Sequence, residues 1–123
     1  MFALLQRWDV LVLLTIQNWH NPVLDFLMPI ITHLGSGGIL WIALAITLLF
    51  FKKTRKFGIL IGVSLLLSMI LGNYILKPLV ARPRPFTQIP GLEVLVALPG
   101  SFSFPSGHAC SSLAAAFALR WGL

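Results

Sequence analysis

The sequence predicts an all-α integral membrane protein, a helical bundle with about three transmembrane crossings preceded by one or two short N-terminal helices. Three observations carry that prediction. Apolar residues fill 58% of the 123 positions and charged residues only 10%, against roughly 25% charged in an ordinary soluble domain. Residues 57–76 run for 20 positions without a charge, which matches the roughly 20 apolar residues that one bilayer crossing needs. The net charge of +6 is gathered into clusters that border apolar runs. The length fits one domain, residues 1–123, with no separate soluble domain.

The elements follow in chain order. Residues 2–19 have helical tendency, but Gln6, Arg7, Asp9, Gln17 and Asn18 interrupt their apolar character. The clean run Val10–Ile16 is too short to span, so an interfacial or packed helix is expected, anchored by Trp8 and Trp19. The N-terminus lacks the basic region and small-residue cleavage site of a signal peptide. Asn21-Pro22 reads as an N-cap followed by proline at the first helical position. Residues 22–51 exceed one crossing, and Pro29 and the run Gly35–Gly38 interrupt them. A short helix, a break near 35–38 and a crossing that ends at Phe51 are expected. That Gly-Ser-Gly-Gly run is no phosphate loop, because Ile39-Leu40-Trp41 follows where Gly-Lys-Ser/Thr is required.

Residues 57–76 give the clearest crossing, with Gly58 and Gly62 in a GxxxG spacing that permits close helix approach. Prolines at 78, 83, 85, 90, 99 and 105 rule out a continuous helix through residues 78–104. A loop of that length is uncommon and often functional. Its apolar stretch 91–98 is suited to lie on or dip into a bilayer. A last helix starts at 106 and runs to 123. The single cysteine, Cys110, excludes an intramolecular disulfide and reads as a small buried residue.

Charge sets the sidedness. The cluster Lys52, Lys53, Arg55 and Lys56 is assigned to the cytoplasm by the positive-inside bias. The next helix then carries Lys77 to the outer face, and the loop returns to that face at Ser106. The expected location is a bacterial plasma membrane, with the chemically unusual residues on its extracytoplasmic side. A nucleic-acid binder is also basic, but here the cations flank apolar runs, so no nucleic-acid partner is expected; the expected partners are membrane lipids.

Two stretches on that outer face suit an anion. In "KPLVARPRP" (77–85), Lys77 ends an apolar helix and is able to snorkel to the interface. Arg84 offers a planar fork for phosphate oxygens. In "PSGH" (105–108), Ser106 and Gly107 stand at a helix N-terminus, where free N–H groups and the helix dipole attract anions. His108, in the first turn, is placed to give a proton to a departing oxygen. Taken singly, each has a structural reading: interfacial anchors, an N-cap, a histidine at a membrane edge.

Together these stretches resemble the type-2 phosphatidic acid phosphatase superfamily, whose site is shared with vanadium haloperoxidases. Lys77, Arg84 and Pro85 match its Lys-x6-Arg-Pro signature, and Pro105–His108 match its Pro-Ser-Gly-His signature, in the same order. The resemblance implies that Lys77, Arg84, Ser106 and Gly107 bind phosphate and that His108 is the catalytic acid. It implies no metal and no cofactor, and no metal-ligand cluster is evident in the sequence. Arg82, within the first signature's six-residue spacer, matches a frequent but not defining family position, and the resemblance implies only that it flanks the site. The implied substrates are phospholipid or polyprenyl phosphates, with phosphatidic acid, phosphatidylglycerophosphate and polyprenyl diphosphate all open.

The family's third signature, Ser-Arg-x5-His-x3-Asp, which supplies its histidine nucleophile, has no match, since no Ser-Arg pair occurs in the chain. His20 and His33 lack an aspartate four residues on and precede the first signature. The expectation is therefore a partial membrane-embedded phosphatase domain carrying the first two signatures, a fragment or truncated member that is inactive alone. The alternative is a non-catalytic membrane protein that binds lipid headgroups. A transporter fragment fits the paired signatures less well, and a haloperoxidase would be soluble.

Overall fold

The computed structural model describes residues 2–122, with side chains from Gln6 onward. Among these residues the chain forms four helical rods and no strand. The first rod is α1 (Phe2–Gln17). The second joins α2 (Pro22–Gly35) to α3 (Ile39–Phe50) through a 3₁₀ turn at Ser36–Gly38. The third joins α4 (Arg55–Met69) to α5 (Lys77–Val80) through a π-helical segment at Ile70–Leu76. The last is α6 (Gly107–Gly122).

Local chemistry explains most boundaries. The Asn21 side chain accepts hydrogen bonds from the Val23 and Leu24 amides at 3.1 and 2.9 Å, and Pro22 opens α2 as expected. Gly37 and Gly38 both take left-handed backbone angles (φ 62° and 72°), which glycine adopts without a Cβ penalty; this produces the predicted break.

Two prolines behave differently from expectation. Pro29 lies inside α2 without interrupting it. Pro78 does not end the third rod, which continues to Val80 before Ala81 turns it off at φ 47° with its amide on the Lys77 carbonyl at 2.8 Å. The physical reason lies just upstream. In the π segment hydrogen bonds skip one residue further, and Lys77 N–H donates to Gly72 O. That shift opens the ladder before the residue with no N–H to contribute arrives. The loop therefore starts at Ala81, not 78.

Small residues let the rods approach. Ala45 of α3, Ile61 of α4, and Ala115 and Ala118 of α6 form the buried seam. Gly58 is buried against α3, where a Cβ would stand 2.6 Å from the Ala45 carbonyl oxygen. Gly122 is buried against Phe57, and Gly72 faces Cys110 and Pro105. These contacts at opposite ends make α4 and α6 antiparallel neighbours. The GxxxG pair thus splits its work: Gly58 packs within the chain, while a Cβ at Gly62 would meet no atom within 4 Å.

Two stretches, Pro22–Phe50 and Arg55–Thr87, are long and apolar enough to cross a membrane, with only 11% of each apolar window buried. A soluble protein's core helix would be mostly buried, so these faces need an apolar surrounding. At roughly 1.5 Å per residue, Arg55 and Lys77 stand about 33 Å apart along their rod, close to the roughly 30 Å of a hydrocarbon core.

Candidate active site

The third rod presents Lys77 half-buried, one turn before its end. The π segment beneath it is a geometry that occurs frequently at functional sites. α6 presents Gly107 and His108 beside it, with Gly72 of the third rod facing Pro105 and Cys110 at the start of α6. Lys77, Gly107 and His108 line one cavity of about 580 Å³. That cavity runs between α3 and α4 toward Leu49 and Gly58, and its wall is largely apolar below the mouth.

Ser106 caps α6. Its hydroxyl accepts the Ala109 amide at 3.3 Å and its carbonyl accepts the Cys110 amide at 2.9 Å. The amides of Gly107 and His108 precede the helix ladder, so no acceptor within α6 is available to them. Together with the helix dipole they form a positive end beside the Lys77 ammonium.

Arg84 is not among the residues lining the cavity. It is half-buried, and its Nε and Nη2 donate to the Ser101 carbonyl and hydroxyl at 2.7 and 3.1 Å. Arg82 pairs with Asp9 of α1. His108 is exposed at the mouth, with Nε2 on the Thr32 carbonyl at 3.1 Å. The structure thus brings Lys77, Gly107 and His108 together, puts Ser106 at their helix cap, and holds Arg84 on the loop.

The profile of the PAP2 superfamily matches residues 57–123, more than half of the chain and including both signatures. The chain belongs to the PAP2 superfamily. It is 36% identical over 86 residues to an undecaprenyl-diphosphatase of Sulfolobus acidocaldarius, covering 70% of this chain and 41% of that protein. It is 31% identical over 100 residues to the undecaprenyl-diphosphatase BcrC of Bacillus subtilis, covering 81% of this chain and 51% of that protein. The chain spans about half the length of the curated relatives it matches. No solved structure matches it.

Several residues of this candidate site were not legible from the two signatures. Asn73, one turn inward of Lys77, lines the cavity with Ser68 and Ser111; a polar residue inside a 20-residue apolar run was the available signal. Gly37 and Gly38 also line it, so the helix break is part of the cavity wall. α1 was expected to pack or lie at the interface, but its partner was not foreseen. Gln6 bonds Gln88, Asp9 bonds Arg82, and Gln17 bonds both Gly91 O and Glu93 N. The scattered polar residues of α1 hold the long loop.

Proposed function

We propose that residues 1–123 form the phosphate-binding and proton-donating part of a membrane phosphatase acting on polyprenyl diphosphates. The observation that carries this reading is the convergence of Lys77, Gly107 and His108 on the mouth of one largely apolar cavity. The diphosphatase relatives support a polyprenyl diphosphate over phosphatidic acid. So does the groove, which from Lys77 to Gly58 covers about 28 Å of helix at roughly 1.5 Å per residue, room for a long apolar tail.

In this reading Lys77 and the Gly107 and His108 amides hold non-bridging phosphate oxygens, with Ser106 fixing the turn that presents those amides. Arg84 keeps N–H donors beyond the two serving Ser101 and binds phosphate from the loop. Fixed donors in a partly dry site stabilise charge that develops on oxygen. His108 gives the leaving oxygen its proton. Pro22–Phe50, the α4 rod and α6 are three crossings, and the site faces the extracytoplasmic side.

The nucleophile is not assigned to any of these residues. His20 pairs with Asp25 at 3.1 Å, and His33 bonds the Pro29 carbonyl at 2.6 Å within its own helix. Those engagements favour a second reading, in which this polypeptide binds polyprenyl or phospholipid headgroups without turnover. The test uses the purified 123-residue chain in detergent or nanodiscs. Orthovanadate binding that requires Lys77, with no hydrolysis of undecaprenyl diphosphate, is the expected result. Turnover by this chain would overturn the assignment of the nucleophile elsewhere, and vanadate binding indifferent to Lys77→Ala would overturn the site.

A further inference from the structure

His108 has neighbours from a part of the chain that neither signature includes. At the end of α2 the ladder tightens: the Ser36 amide donates to the His33 carbonyl, three residues back. An α-helical ladder would have sent that amide to Thr32 instead. The Thr32 carbonyl is left to side chains, and takes the Ser36 hydroxyl at 2.9 Å and His108 Nε2 at 3.1 Å. A carbonyl only accepts, so Nε2 carries the hydrogen.

The imidazole also packs its Cδ2–Nε2 edge against Gly35. A Cβ at that position would stand 2.7 Å from His108 Cδ2 and 3.2 Å from Nε2. The Gly35 backbone is ordinary right-handed helix (φ −84°, ψ −12°). Its conformation does not require glycine, and alanine is the better helix former there. What the glycine provides is space for the ring.

We propose that the C-terminal turn of α2 is the positioning element for His108: Gly35 seats the ring and the Thr32 carbonyl holds Nε2–H. This inference rests on the active-site reading above and adds which nitrogen works. With Nε2 committed to Thr32, Nδ1 is the nitrogen that meets the anion. The proton His108 releases leaves Nδ1 for the substrate oxygen, and the ring left behind is the neutral Nε2–H form. The break at Ser36–Gly38 gains a purpose, since a helix continuing through it would have consumed the Thr32 carbonyl.

The test is the tautomer of His108, read by multiple-bond proton–nitrogen correlation on the full 123-residue chain with ¹⁵N-labelled histidine rings. His20→Gln and His33→Gln variants assign the signals. In alkaline buffer, where imidazole is neutral, His108 should show protonated Nε2 and bare Nδ1. Gly35→Ala should lose that single-tautomer pattern while remaining helical and folded, because only the ring has to move. Gly100→Ala, whose Cβ would meet nothing within 4 Å, should keep it. Vanadate affinity should fall about 3- to 10-fold in Gly35→Ala, the worth of one hydrogen bond. A wild-type ring protonated at Nδ1, or an unchanged pattern in Gly35→Ala, overturns the seat whether or not vanadate binds. His108→Gln with unchanged vanadate affinity would instead overturn the active-site reading and with it the function of the seat.

Discussion

The two ends of the bundle both carry cations, yet only one is built as a site. At one end stand Lys52, Lys53, Arg55 and Lys56, with Arg120 in the last turn of α6. There the helices pack closely, with Gly58 on Ala45 and Gly122 on Phe57. The cations serve their own surroundings: Arg55 Nε donates to the Leu49 carbonyl at 3.1 Å, and Lys56 lies 4.9 Å from the Phe57 ring centroid. At the other end the helices are irregular. α2 breaks at Ser36–Gly38, α4 passes through a π segment, and α6 starts from a capped turn. Irregular backbone frees polar groups, and at membrane depth it is tolerated where it lines a cavity. Positive charge marks both ends of the bundle; the broken helices distinguish the end that carries the proposed site.

The most decisive break of this comparison is all-or-none. In a Cys110→Ala background, cysteines at positions 54 and 88 should react with an impermeant thiol reagent from opposite sides of an intact membrane. Labelling of both from one side would remove the two-ended arrangement. Next in size, Lys77→Ala should weaken vanadate binding by an order of magnitude or more, while Lys53→Ala should leave it unchanged, as measured by titration in detergent. Equal losses would mean that net charge, not geometry, draws the anion.

Packing at the closed end gives the third contrast. Gly58→Leu should destabilise the chain by about 1–3 kcal/mol through overpacking, read as a lower midpoint in denaturant unfolding. Gly62→Ala faces open space and should stay within about 0.5 kcal/mol of wild type. The smallest effect belongs to the strap between α1 and the loop. Asp9→Asn removes a half-exposed ion pair with Arg82, a class of interaction worth about 0–1 kcal/mol. Its clearer signature should be faster amide exchange over residues 82–93, with little change in unfolding midpoint.

Much of the fold was legible because its signals are local. Asn21-Pro22 caps a helix wherever it sits, paired glycines break one, and 20 uncharged residues form a span-length rod. Both signatures were readable for the same reason, since each is a short word with fixed spacing. Arg84 shows where such reading stops. Its spacing from Lys77 matches the family, but its guanidinium faces Ser101, 17 residues on, across a loop whose path no spacing reveals. Pro78 misled because proline ends an ordinary helix; the π segment that accommodates it depends on Lys77 N–H reaching back to Gly72, a shift that local propensity does not encode.

By itself, then, the sequence determined the helical class, the apolar surface, the position of each cation cluster and the family words that carry Lys77, Arg84 and Ser106–His108. These depend on composition and on residues a few positions apart. Only the tertiary structure decided which of those residues meet, that α1 straps the loop, and that Gly35 and the Thr32 carbonyl receive His108. Those contacts join residues more than 70 positions apart, and they depend on how closely glycine and alanine allow whole helices to approach.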